Sequence, residues 1–89
     1  MDILFLGKSK TRQKVLGLFL ENPGQSFYLH EIKRKLLLSA GNLRRELLSL
    51  VDIGLFERQK KGRLIYYKIN PDSPIFAMIK NTDNDQVMN

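Results

Sequence analysis

The stretch Leu38-Ser39-Ala40-Gly41-Asn42-Leu43-Arg44-Arg45-Glu46-Leu47, residues 38–47 of an 89-residue chain, carries the signals that decide the fold. Ser39 is a residue type favoured at helix N-caps, and it stands directly before a helical pattern. Leu43, Leu47, Leu50 and Val51 recur at helical spacing. They predict a helix over about Ala40 to Ile53 with that stripe turned inward. Gly54 follows where a helix ends on a left-handed residue. The opposite side of this helix carries Gly41, Arg44, Arg45 and Leu48, with Asn42 near the boundary.

Upstream, Leu29 to Leu37 reads as a second helix with Ile32, Leu36 and Leu37 inward and Lys33, Arg34 and Lys35 outward. Gln25 to Leu29 is an extended segment with Phe27 inward. Before that, Ser9 caps a helix whose stripe is Val15, Leu16, Phe19 and Leu20, stopped by Asn22-Pro23-Gly24. Downstream, Leu55 to Lys60 and Leu64 to Asn70 read as strands joined by Lys61-Gly62-Arg63. Ile65, Tyr67 and Ile69 share one face of the second strand, and Leu64, Tyr66 and Lys68 the other. Ser73-Pro74 opens a short last helix to Lys80, proline being tolerated in a first helical turn. Two helices joined by a tight turn make a helix-turn-helix, and the basic hairpin after them makes it winged. The expected fold class is α+β, mainly α with a β-hairpin wing: a winged helix-turn-helix with a three-helix core plus a C-terminal helix. One domain is expected over residues 1–80, and a flexible polar tail over residues 81–89.

Charge narrows the function. The chain carries 15 Lys and Arg against 9 Asp and Glu, a net +6. Residues 1–70 hold 14 basic and 6 acidic side chains, a surplus of +8, whereas residues 71–89 are at −2. The body is therefore more basic than the average, which points to a polyanionic partner or, more blandly, to a basic soluble surface. Cysteine is absent, which excludes disulfides, thiolate metal sites and thiol catalysis and fits a reducing compartment. No apolar run approaches the ~20 residues of a membrane-spanning helix. The apolar stretch at Ile3 to Leu6 is too short for a secretory signal, so a cytoplasmic location is expected.

In a helix-turn-helix the N-terminal part of the second helix of the motif enters the major groove. Ala40, Gly41, Asn42, Arg44 and Arg45 are accordingly the candidate base-reading residues. Arg can bridge O6 and N7 of guanine, and Asn can bridge N6 and N7 of adenine. Gly41 costs roughly 1 kcal/mol against Ala within a helix, and close approach of backbone to a ligand is one reason to keep it. The competing reading of Arg44-Arg45 is a solvated face paired with Glu46 or Glu57. In the wing, Arg58, Lys60, Lys61 and Arg63 suit phosphates or the minor groove, and equally suit a protected hairpin edge. Ser39, Tyr28, His30 and Lys33 are further phosphate candidates, with Lys8, Lys10, Arg12 and Lys14 flanking the first helix.

Enzyme readings are weak. His30-Glu31 begins a zincin motif, but position 34 is Arg where a second His is required. One His leaves no His cluster for a metal. No glycine-rich phosphate loop is present, and the carboxylates are scattered over separate elements. No catalytic residue, cofactor or metal is expected.

The ordered set Gly7-Lys8-Ser9-Lys10-Thr11-Arg12, Asn22-Pro23-Gly24, Tyr28-Leu29-His30-Glu31-Ile32, Arg44-Arg45-Glu46-Leu47 and Tyr66-Tyr67 with Asn70-Pro71 resembles winged helix-turn-helix domains. These are the ArsR-like and MarR-like transcriptional regulators, and a prokaryotic subgroup sometimes joined to a minimal nucleotidyltransferase domain. The resemblance covers about residues 4–76. It implies a homodimer on double-stranded DNA, with Asn42, Arg44 and Arg45 on the recognition helix and Lys61 and Arg63 at the wing. The Cys and His clusters of metal-sensing ArsR-like proteins are absent, and so is the glycine-serine signature of the transferase. Apolar residues beyond the needs of a three-helix core place the expected dimer seam at Ile3, Leu4, Phe5, Leu6, Leu18, Phe76 and Ile79. Two alternatives stay open: a protein-interaction module anchored by Leu48, and an RNA-binding domain using exposed tyrosines.

Overall fold

A computed structural model describes residues 9–80. Helix α1 spans Lys10–Glu21, strand β1 Phe27–Tyr28, α2 Leu29–Leu36, α3 Ala40–Asp52, β2 Phe56–Lys61 and β3 Leu64–Ile69. A final helix, α4, covers residues 74–80. The three strands form one antiparallel sheet in the order β1-β3-β2. The architecture is the α+β winged helix expected from the sequence. It has one addition: the extended segment before α2 pairs with the wing, Phe27 opposite Tyr67 and Tyr28 opposite Tyr66. That pairing ties the base of the wing to the start of α2.

Local signals explain most boundaries. Ser9 Oγ accepts the Arg12 N–H at 3.2 Å and starts α1. At the end of α3, Gly54 takes φ +84°. Its N–H donates to Val51 O, and the Leu55 N–H donates to Leu50 O. This is a Schellman ending with its apolar pair, Leu50 and Leu55, both buried. Gly62 has φ +62° and Arg63 does not share the positive φ, the pattern of a two-residue II′ hairpin turn. The strand thus runs one residue further than expected, to Lys61, and begins one later, at Phe56. Ser73 Oγ accepts the Ile75 and Phe76 N–H groups at 3.1 and 3.2 Å and caps α4.

Two local expectations need correction. Ser39 occupies the N-cap position of α3, but its side chain makes no capping hydrogen bond. Helix α2 stops at Leu36, and Leu37 is the capping residue in the left-handed region at φ 56°. Its side chain is 87% exposed instead of facing inward. The Leu37 and Leu38 N–H groups both donate to Lys33 O, so the chain must turn left-handed at position 37 to close the helix.

The core joins all layers: Val15, Leu16 and Phe19 of α1, Phe27 of β1, Ile32 of α2, Leu43, Leu47 and Leu50 of α3, Phe56 of β2, and Tyr67 and Ile69 of β3 are buried together. Phe19 sits at its centre, edge-on to Phe27 at 5.2 Å and tilted to Phe56 at 4.5 Å. Ile79 of α4 is also part of this core.

Candidate nucleic-acid interface

The inward stripe of α3 is completely buried at Leu43, Leu47 and Leu50, which fixes the rotation of the helix. The opposite face is thereby turned out: Gly41, Asn42, Arg44 and Arg45 are exposed, and Ala40 is half-buried. Neither arginine has an ion-pair partner among the described residues, because Glu46 is taken by another group. Arg12 Nε donates to Glu46 Oε1 at 2.6 Å, and Arg12 Nη2 donates to Ser49 Oγ at 3.1 Å. This bracket joins α1 to α3 and removes Arg12 from the phosphate candidates. A Cβ at Gly41 would meet nothing within 4 Å, so packing inside the chain does not require glycine there.

The wing exposes Arg58, Lys60, Lys61 and Arg63. Its register divides them. Arg58 lies opposite Tyr67 and Lys60 opposite Ile65, while Lys61 lies opposite Leu64. Residues opposite one another share a face, so Arg58 and Lys60 lie on one face of the hairpin and Lys61 on the other. Lys61 Nζ sits 5.4 Å from the Tyr66 ring centre, a cation–π contact on that second face.

Between wing and helices lies a cleft of about 250 Å³ lined by Tyr28, Leu29, His30, Arg44, Arg63, Leu64, Ile65 and Tyr67. It brings together residues that sequence reasoning had assigned to separate tasks: Arg44 of α3, Arg63 of the wing tip, and Tyr28 and His30 at the start of α2. Spacing along the chain gave no sign of this meeting, since it arises from the β1–β3 pairing. At the same helix start, Glu31 turns its carboxylate back to accept the Tyr28 N–H at 3.3 Å. His30 and Ser39 are exposed, and Lys33 is half-buried.

The expected seam residues scatter. Ile3, Leu4, Phe5 and Leu6 lie outside the described residues. Leu18 and Phe76 are half-buried and pack against the core. Ile79 is 5% exposed and belongs to its own chain's core, because α4 folds back over that core. Leu20, Pro23, Gly24, Pro71, Phe76, Ile79 and Lys80 line an apolar groove there. Among the tyrosines, Tyr67 is buried, whereas Tyr28 and Tyr66 are half-buried and meet edge-on at 5.6 Å.

Among the described residues no group of His, Cys, Asp or Glu is arranged to hold a metal ion. No helix of the described residues is long and apolar enough to cross a membrane.

No family profile and no curated protein matches the chain. Solved structures do. A protein of Methanosarcina mazei Go1 described as a "possible transcriptional regulator" superposes with a TM-score of 0.72 at 18% identity, covering 92% of this chain and 72% of that one. Reduced HlyU from Vibrio cholerae gives 0.69 at 23% identity, with 88% and 78% covered. A "possible transcriptional regulator for arsenical resistance" gives 0.68 at 19% identity, with 99% and 94% covered. The chain shares their winged-helix fold.

Proposed function

We propose that this chain is a sequence-specific double-stranded DNA-binding protein, a homodimeric transcriptional regulator of the cytoplasm, and not an enzyme. The observation that carries the reading is the outer face of α3, where Gly41, Asn42 and Arg45 are exposed and Arg45 has no acidic partner among the described residues. The first turn of α3, from Ala40, enters the major groove. Arg45 reads a base edge, and Arg58, Lys60, Lys61, Ser39 and Lys33 hold phosphates. Likeness in fold to structures described as transcriptional regulators supports it.

A two-fold dimer binds a roughly palindromic site with half-sites about one helical turn, ~34 Å, apart. Selection of bound duplexes from a random pool, with the stoichiometry of the complex measured in solution, tests the reading. The expected result is a symmetric motif with two chains per site. In the same selection Arg45→Ala relaxes preference at one base position, while Lys61→Ala weakens all sequences alike. No enriched motif, with affinity no better than the ~10⁻⁴–10⁻⁶ M of non-specific binding, overturns it. That outcome would favour a protein-interaction module, whose anchor is Leu48, 39% exposed on the outer face of α3. Competition between duplex DNA and RNA of equal length separates the RNA reading, which would rest on the half-buried Tyr28 and Tyr66.

A further inference from the structure

We infer that the cleft between the wing and the two helices is a phosphate clamp, in which Arg44 and Arg63 grip one backbone phosphate of the duplex together. This rests on the DNA-binding reading and changes one part of the sequence expectation: Arg44 holds the backbone, and base reading falls to its neighbour Arg45.

Four observations converge. First, Arg44 and Arg63 come from different elements, α3 and the hairpin tip, yet line the same cleft. Neither has an acidic partner among the described residues. Two like charges beside one cleft repel. An anion between them turns the repulsion into attraction on both sides. Second, guanidinium is planar and always charged, and its forked donors match the oxygens of a phosphate. Third, Leu29 and His30 of the first turn of α2 line the same cleft, which puts the positive end of that helix beside it. Fourth, Glu31, the acid of that turn, is bonded to the Tyr28 N–H and is not among the lining residues. One group taken up by both arginines also locks the wing to the recognition helix when DNA is bound.

The experiment is a double-mutant cycle. Wild type, Arg44→Ala, Arg63→Ala and the double variant are titrated by fluorescence anisotropy against a selected duplex and a scrambled one at fixed ionic strength. Both positions are exposed, so neither change removes packing that the fold depends on. Each single variant is expected to weaken both duplexes by the same factor, about tenfold, the size of one charge-assisted contact. The double variant loses clearly less than the product of the two, because the first change already opens the clamp. Arg44→Lys, which keeps the charge and loses the fork, falls between wild type and Arg44→Ala. An effect of Arg44→Ala on the selected duplex alone, or losses that multiply, overturns the clamp while leaving DNA binding intact. A wild-type chain that binds no duplex overturns the DNA-binding reading, and inorganic phosphate then decides the clamp separately. Arg44 and Arg63 Nε–H resonances that shift along one isotherm support an anion site, and resonances that stay in place sink it.

Discussion

Leu37 is the residue that departs furthest from ordinary rules. A leucine in the left-handed region costs roughly 1–2 kcal/mol, and here the side chain recovers nothing by burial, being 87% exposed. Glycine removes that strain but adds about 0.5–1 kcal/mol of unfolded-state entropy. Leu37→Gly is therefore expected to raise stability by about 0.5 kcal/mol, read as a higher urea midpoint at unchanged m-value. A loss above about 1 kcal/mol would mean that Leu37 makes contacts the fold depends on. The position also shows where reading by residue type fails. Leu36, Leu37 and Leu38 in succession continue the helical stripe from Ile32 for one residue too many, and no glycine marks the turn. Gly41 is a different case, a helical glycine that no packing within the chain requires. With open space around it, Gly41→Ala should add about 0.5–1 kcal/mol of stability through helix propensity. If backbone approaches the duplex there, the same change weakens binding to the selected duplex. Chemical denaturation and anisotropy on the one variant separate the two effects, and unchanged affinity would place Gly41 away from the DNA.

At the scale of elements, α1 and α3 are tied by apolar packing and by the Arg12–Glu46–Ser49 bracket. Both side chains of the ion pair are mostly buried, at 19% and 17% exposure, so removing one leaves the other poorly solvated. Glu46→Ala is expected to cost about 1–2 kcal/mol in denaturant unfolding, more than the 0–1 kcal/mol of a fully exposed pair. A cost below about 0.5 kcal/mol would show that water replaces the bracket freely. The bracket was not legible in sequence, because its partners are 34 and 37 residues apart and Arg12 sits in a basic run that invites a phosphate role. What was legible depended on periodicity and punctuation. The α3 stripe, Gly54, Gly62 and Ser73-Pro74 each state a local rule that tertiary packing then obeys. The cleft shared by Arg44 and Arg63 depends on β1 pairing with β3, a non-local event between two residues and a strand almost forty positions later. Alternation and helical period carry no trace of it. For the same reason α4 read as spare apolar surface, when its Ile79 completes the core.

At the scale of the whole molecule, charge is distributed by task. The surplus lies on the outer face of α3, on α2 and on both faces of the wing, while residues 71–89 are net acidic. A body arranged this way binds polyanions by displacing condensed counterions, so affinity falls with salt at a slope of about −0.9 for each phosphate neutralised. Lys33, Lys61, Arg58 and Lys60 together on one phosphate, and the shared cleft account for about four phosphates per chain, hence a slope near −3.6 for a single half-site. Two copies on a palindrome neutralise twice as many, and the slope should approach −7. Anisotropy over a series of salt concentrations, run on a half-site duplex and on the full palindrome, measures both values side by side. A ratio near two, with the steeper slope on the palindrome, is the outcome that a symmetric pair of wings and recognition helices requires. Equal slopes on the two duplexes would mean that one chain saturates the site, and dimeric recognition would have to be abandoned even if the motif itself proved specific.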